Sequence, residues 1–516
     1  MQKSCQIDAH SCVGLVNFAA RKTMTTDTAN LDTLRDSATQ PDEAARNRLV
    51  IALLLVSTFV VFLNETIMSV AIPHLMVDLG VTASAAQWLT TAFLLTMAIV
   101  IPITGFLLQR MNTRPIFMTA MSVFSLGTLV CAISPGIELL ITGRVIQAVG
   151  TAIMMPLLMT TVMSLVPPAG RGKVMGNISI VMSVAPAIGP TIGGFILANF
   201  DWRYMFYFTL PIALGALLLG AVRIRNVSTP RYAPLDMLSV ILSALGFGGL
   251  VYGLSSLGEG AEHGSAIPAW LPIVVGVVSM AIFALRQSRL QKNDNALLDL
   301  RTLQHRNYTM ALLTMAFAMV ALLGTSILLP IYTQSVLGLT TLETGMLMLP
   351  GGLMMGVLGP IVGRLYDRVG PRPLLVPGVV AVSVVMWALT LVSQHTLVWQ
   401  VVAGHVVLSL GLAFVFTPLF TASMSSVPPR FYPHASAILG SMQQVAGAAG
   451  IALFVAVMSL QTAAGAAAGL SSIDALAAGV RGGFLCGAIV SLAMVAAAIF
   501  VRRPEGGPPN EVHIGH

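Results

Sequence analysis

Fourteen stretches of this chain are long enough and apolar enough to cross a lipid bilayer, and no other feature limits its fold so tightly. A spanning helix needs about 20 mostly apolar residues. Such runs occupy 49–73, 86–108, 115–134, 137–166, 172–198, 204–222, 236–257, 268–285, 308–334, 343–363, 373–393, 396–426, 434–461 and 478–501. Of the 516 residues, 56% are hydrophobic and only 9% charged. A soluble domain carries roughly 25% charged residues, so a water-soluble core would leave too much apolar surface uncovered. The expected class is an all-α integral membrane protein.

Charge tests the count of spans. Lys and Arg collect in loops on the cytosolic side of a membrane. With both termini inside, 24 of the 27 basic residues fall on the cytosolic side. Arg203 and Arg481 fall outside, and Arg144 lies within a run. One span more or fewer would scramble this alternation. Residues 1–45 are polar and hold no continuous apolar core, so they read as a disordered cytosolic tail rather than a cleaved leader. Met24 offers a second possible start. Cys5, Cys12, Cys131 and Cys486 include no CxxC pair, which suggests neither a metal site nor a disulfide framework.

The chain repeats itself. GFLLQRMNTRP (105–115) follows the second run and GRLYDRVGPRP (363–373) follows the tenth. Gly105/Gly363, Leu107/Leu365, Arg110/Arg368, Arg114/Arg372 and Pro115/Pro373 match in one register, 258 residues apart. Eight runs separate the equivalents, as expected of two six-helix halves with a pair inserted between them. Parallel repeats of this kind build a central path in many transporters. The expected layout is a tail (1–45), a first half (46–230), an inserted pair (231–300), a second half (301–503) and a second cytosolic tail (504–516).

Two charges stand inside the apolar runs. Glu65 is the one acid deep in any run, and Arg144 the one deep base. A charge at mid-membrane costs about 2.5–3.5 kcal/mol on insertion scales, so such residues face a cavity, find a partner or carry protons. At 1.5 Å per residue both lie about 10–12 Å below the outer surface, where they could form a switchable ion pair. Gly189, Pro190, Gly193 and Gly194 in the fifth run suit a hinge or a close helix contact. Asp367, an acid in a basic loop, could pair across the two halves or with a helix N-terminus. Phe59, Phe62, Phe93, Gln147, Met155, Tyr332 and Gln443 are candidates for a substrate pocket. His405 reads as a helix-to-helix hydrogen bond.

Five motifs together resemble the fourteen-span drug:proton antiporters of the major facilitator superfamily. GRLYDRVGPR (363–372) and GFLLQRMNTR (105–114) are similar to the family's loop signature. GRVIQAVGTA (143–152) is similar to its fourth-span signature. Gly176-x8-Ala185-x3-Gly189-Pro190-x2-Gly193-Gly194 resembles the antiporter signature, LNETIMSVAIP (63–73) that of the first span, and DWRYMF (201–206) the opening of the sixth. Asn64 stands where the family usually has aspartate, and Gln109 where an acid is usual.

The resemblance implies the major facilitator fold with 14 transmembrane helices. It implies proton coupling through Glu65, Arg144 and Asn64, and gating through Arg110, Arg114, Asp367 and Arg368 besides the fifth-run glycines. The implied activity is multidrug efflux across the cytoplasmic (inner) membrane, driven by the proton gradient without a cofactor or metal. The implied partners are protons, a small amphipathic substrate and membrane lipid, with no nucleic acid and a monomeric chain. An exporter or importer of a native metabolite, or a membrane-embedded sensor, is the alternative. No HExxH helix, nucleophile–base set or phosphate loop favours an enzyme or an ATP-driven pump.

Overall fold

The computed structural model describes residues 45–68, 71–72, 74–81, 83–224, 226, 235–258, 268 and 270–503. The expected tails, 1–45 except its last residue and 504–516, lie outside the described residues. So do 227–234 and 259–267 of the region around the inserted pair. The chain divides into two compact units, one ending at Ala52 and one running from Leu53 onward. All packing described below lies within the second.

The long helices follow the apolar runs. They are α1 (Ala45–Met68), α2 (Ala83–Arg110), α3 (Thr113–Ala132), α4 (Ile137–Leu165), α5 (Arg171–Asn199), α6 (Tyr204–Arg223), α7 (Met237–Gly258), α8 (Trp270–Leu290), α9 (Arg306–Ile331), α10 (Thr341–Val369), α11 (Arg372–Leu389), α12 (Val398–Ser425), α13 (Tyr432–Ala467) and α14 (Ser472–Ile499). Thirteen helices among the described residues are long and apolar enough to cross a membrane. In a bilayer core every backbone amide must be satisfied within the segment, which is why such runs become helices.

Several helices overrun the expected boundaries. The tenth run was expected at 343–363, whereas α10 covers 341–369; the thirteenth was expected at 434–461, whereas α13 covers 432–467. Hydropathy marks only the lipid-crossing part, while hydrogen bonding carries the helix on through its polar ends. α10 opens with a capping box, Thr340 with Glu343, and closes at Gly370, whose φ of 79° suits glycine.

The packing repeats as the sequence does. In the first half α4 lies against α2 and α3, and in the second α12 lies against α10 and α11. α3 meets α6 as α11 meets α14. Arg114 donates to the Ala221 carbonyl of α6 (2.7 Å), and its repeat partner Arg372 donates to the Ile499 carbonyl of α14 (2.8 Å). The halves meet through α5 on α10 and α12, and through α13 on α2 and α4. α7 touches both α2 and α13, and α8 lies outside it. α4 and α12 are the most enclosed spans, 72% and 78% buried, against 22% for α8.

Candidate proton and gating site

Arg144 is fully buried. Its Nη1 donates to Gln147 Oε1 (3.0 Å) and to Asn64 Oδ1 (3.4 Å), and its Nε donates to the Leu89 carbonyl (3.5 Å). The guanidinium carbon stands 4.1 Å from the centroid of the Phe93 ring, a cation–π contact. Gln147 donates in turn to Thr128 (2.8 Å), and Asn64 to Thr209 (3.5 Å). The base is thus held by α1, α2 and its own helix, with a further layer from α3 and α6.

The expected direct ion pair between Glu65 and Arg144 does not form. The two charges interact through space, while neutral acceptors fill the hydrogen-bonding positions of the guanidinium. Glu65 Oε2 is covered and makes no hydrogen bond. Adjacent side chains on a helix point about 100° apart. Asn64 faces the arginine, so Glu65 faces elsewhere.

Three expected pocket residues are engaged in packing, two of them around Arg144. Phe93 is the platform under Arg144, and Gln147 is consumed by Arg144 and Thr128. Tyr332 is buried and donates to the Ser393 carbonyl (2.7 Å), fastening the π-helical turn Tyr332–Val336 that follows α9. Phe59, Phe62, Met155 and Gln443 remain partly exposed. Gln443 Nε2 is covered and without a partner.

The glycines separate by role. A Cβ at Gly189 would lie 2.2 Å from Thr66 Oγ1, and one at Gly193 3.0 Å from the Ile67 carbonyl, so both let α1 approach α5. Thr66 donates to the Ala185 carbonyl across that contact (3.1 Å). Nothing lies within 4 Å of a Cβ at Gly194, which therefore does not serve close packing. The backbone of Pro190 lies within α5, but its ring is outside the described side chains.

At the end of the bundle that carries the loop arginines, Asp367 of α10 reaches α5. Its Oδ1 accepts from the Gly172 amide (2.8 Å) and its Oδ2 from the Lys173 amide (2.9 Å). Both amides belong to the first turn of α5, where N–H groups lack helical partners and the dipole favours an anion. Beside it the two backbones touch. A Cβ at Gly363 would lie 2.1 Å from the Gly172 carbonyl, and one at Gly176 2.4 Å from the Gly359 carbonyl. Arg114, expected at this gate, acts inside the first half on α6. Arg110 stands over its own helix's Phe106 ring (5.9 Å), and Arg368 is exposed.

A second crossing went unforeseen. Gln109 of α2 meets His434 of α13 through their nitrogen atoms, and Gly105 gives room to Ala437 and Pro433. Ser179 pairs with Thr417 (2.6 Å) and Thr160 with Ser436 (3.1 Å), adding hydroxyl contacts between the halves.

Two repeated halves of buried helices around enclosed α4 and α12 define a membrane transporter. The chain belongs to the Major Facilitator Superfamily, whose model matches residues 54–451. Members of this family are transporters, not enzymes. The chain is 37% identical over 462 residues to "Lincomycin resistance protein LmrB" of Listeria monocytogenes, covering 88% of this chain and 97% of that one. It is 38% identical over 458 residues to "Uncharacterized MFS-type transporter YcnB" of Bacillus subtilis, covering 89% and 95%. "Multidrug resistance protein B homolog" of Mycobacterium tuberculosis is 29% identical over 403 residues, covering 77% and 74%. Among solved structures, the human organic anion transporter MFSD10 superposes with a TM-score of 0.64 at 16% identity, covering 88% of this chain and 99% of that one.

Proposed function

We propose that this protein is a proton-coupled antiporter that exports amphipathic drugs across the cytoplasmic membrane through fourteen spans, with both termini in the cytosol. The observation that carries the reading is Glu65, a carboxyl inside the bundle with Oε2 covered and unpartnered, within electrostatic reach of a buried arginine. The names of the relatives as lincomycin and multidrug resistance proteins supply the substrate class. The partly exposed Phe59, Phe62, Met155 and Gln443 offer apolar surface and an amide for a varied ligand.

Protonation neutralises Glu65 and lowers the cost of enclosing it. The Arg144 cluster, held by neutral groups, stays assembled in both states. Glu65 and this cluster belong to the same half, so movement of the halves changes the access of water to the carboxyl, and with it the cost of its charged form, rather than its distance from the guanidinium. Each protonation state thus favours a different conformation, the differential free energy that a coupled switch requires. The Asp367 clamp and the glycine contact close the cytosolic end while the outer end is open.

The test is efflux in inverted vesicles energised by a pH gradient, with lincomycin and several chemically distinct cationic dyes. Wild type should accumulate at least one of them against a gradient and dissipate the pH difference in doing so. Glu65→Gln should bind the same compound but lose uphill accumulation, and Glu65→Asp should keep part of it. Wild-type rates in Glu65→Gln would move the coupling carboxyl elsewhere.

A further inference from the structure

The internal repeat extends further than its loop signature. Gly143, Val145, Gly150, Ala152, Leu158 and the Val166-Pro167-Pro168 end of the α4 segment recur as Gly404, Val406, Gly411, Ala413, Leu419 and Val427-Pro428-Pro429, all in one register 261 residues apart. That register puts His405 at the position of Arg144. Each residue lies seven places beyond the first residue of its helix, Ile137 or Val398, about 10 Å along the axis.

The surroundings correspond as well. Arg144 rests on Phe93 of α2, and the 258-residue register carries Phe93 to Gly351 of α10. His405 packs on Gly351: a Cβ there would lie 2.6 Å from its Cδ2 and 2.8 Å from its Nε2. Where the first half fills the space with a benzene ring under a guanidinium, the second leaves out a side chain and admits an imidazole. Arg144 also donates to the Leu89 carbonyl of α2, and the same register carries Leu89 to Leu347 of α10.

The partners then part company. Arg144 keeps Asn64 and Gln147, whereas Gln147 is replaced by Leu408 in the repeat. His405 Nδ1 is covered and has no hydrogen-bond partner. This covered ring nitrogen is an unfilled place for a proton at the depth of Arg144.

We infer that His405 is a second proton-binding group of the transport cycle, the titratable counterpart of the permanently charged Arg144. This rests on the proton-coupled reading above. When His405 takes up a proton at Nδ1, both halves carry a cation at the same depth; when it gives the proton up, only the first half does. No charged side chain opposes or assists it nearby. The titratable residues of the helices packed on α12 lie toward helix ends: Arg306 and Tyr308 on α9, Glu343, Arg364, Tyr366, Asp367 and Arg368 on α10, Arg372 on α11, and Arg171 and Lys173 on α5; on α13 they are Tyr432 and His434. The switch is therefore local, between burying a neutral ring and burying a cation.

The full-length protein in lipid nanodiscs provides the test without a known substrate. Histidine-selective nitrogen NMR follows the ring, with His405→Asn assigning its signal. Spin labels at the exposed positions Thr119 and Val380, one in each half, follow the distance between halves. The expected result is an imidazole that gains its proton between about pH 8 and 5, the range in which histidine changes charge. The distance distribution should shift with the same midpoint, and His405→Asn should lose that component. His405→Arg should hold the acid-side distribution at every pH. Glu65→Gln should leave the His405 titration in place, so failure of the Glu65 reading would leave this one standing. A ring that stays neutral throughout, or the same pH response in wild type and His405→Asn, overturns the inference.

Discussion

The two corners where α5 meets α10 and α2 meets α13 are built on one plan and differ in their chemistry. The register that pairs Gly105 with Gly363 pairs Gln109 with Asp367, and the one that pairs Arg144 with His405 pairs Gly172 and Lys173 with Pro433 and His434. α5 starts at Arg171 and α13 at the matching Tyr432, each after a short 3-10 turn. At the first corner a carboxylate accepts from two helix-start amides and the backbones of Gly172 and Gly363 are in contact. At the second, Pro433 has no N–H to offer, and a neutral carboxamide meets an imidazole. A carboxylate at 109 would find one amide donor fewer than Asp367 does. The chemistry at each corner thus follows from whether the facing turn begins with glycine or proline.

The largest contrast should come from adding bulk. Gly363→Leu forces a side chain into the Gly172 carbonyl, whereas Gly105→Leu meets first the Cβ of Ala437 at 3.0 Å. Overpacking costs about 1–3 kcal/mol, with backbone contacts at the upper end. Vesicle transport should fall about 100-fold for Gly363→Leu and about 10-fold for Gly105→Leu, at comparable yields of folded protein. Equal losses would mean that the corners are equally tight.

Removing the polar contact should rank next. Asp367→Asn gives up two charge-assisted bonds, each worth about 1.5–3 kcal/mol before solvent is allowed for. It should move the closed–open balance of this end about tenfold toward open, read from distances between Thr119 and Val380 labels. Gln109→Ala should move it no more than about threefold, since neutral bonds are worth about 1 kcal/mol. A larger shift for Gln109→Ala reverses the proposed order of strength.

Gln109→Glu sharpens the comparison through pH. A carboxylate opposite His434 gains a charged partner when the ring is protonated, so closure should tighten as pH falls from about 8 to 6. Both arms carry His405→Asn, so that any pH step between Thr119 and Val380 labels that is present with Gln109→Glu and absent with the native Gln109 belongs to this corner. If the variant closes equally at both values, His434 stays neutral there.

The smallest effect on gating is expected from Asp236→Asn, a carboxylate contact away from both corners. Asp236 accepts from Arg286 of α8 through both oxygens (2.7 and 2.9 Å), and this bond with the contact to Ser239 holds its carboxyl down at about 2, from an ordinary 3.8. A lowered value means that the contribution to stability is complete above about pH 4 and is lost as pH falls toward 2. The Tm difference between wild type and variant should therefore stay constant from pH 7 to 4 and shrink only below. Label distances between the halves should not change.

Hydropathy made the helices legible because a bilayer leaves a long apolar run few alternatives. It understated α10 and α13 because their last turns carry Asp367 or extend past the lipid. The repeat exposed Asp367 as an interface acid, and its capping of α5 is the contact that its isolation among arginines suggested. Sequence does not separate the neighbours Asn64 and Glu65 as partners of Arg144: Glu65 carries the charge, but Asn64 carries the geometry. Phe93, Gln147 and Tyr332 read as pocket candidates in the sequence because residue type does not distinguish a lining position from a packed one. His434 had a signal, its register with Lys173, that becomes visible only when the repeat is followed from the loops into α13.

α7 rests against α2 and α13, which belong to opposite halves, so motion that parts those helices makes α7 slide along at least one of them. Its contact with α2 is made by Gly248 against the tips of Leu95 and Ile99, and its contact with α8 by Gly249 against Gly276. The first is a smooth bearing and the second a close joint, fastened again by the Asp236–Arg286 pair. α8 therefore travels with α7 as a paddle whose outer face, from Trp270 to Leu285, is exposed. If α2 and α13 part, this pair would widen the area that the helices occupy in the bilayer, and raising the lateral pressure of the surrounding lipid would then oppose the movement.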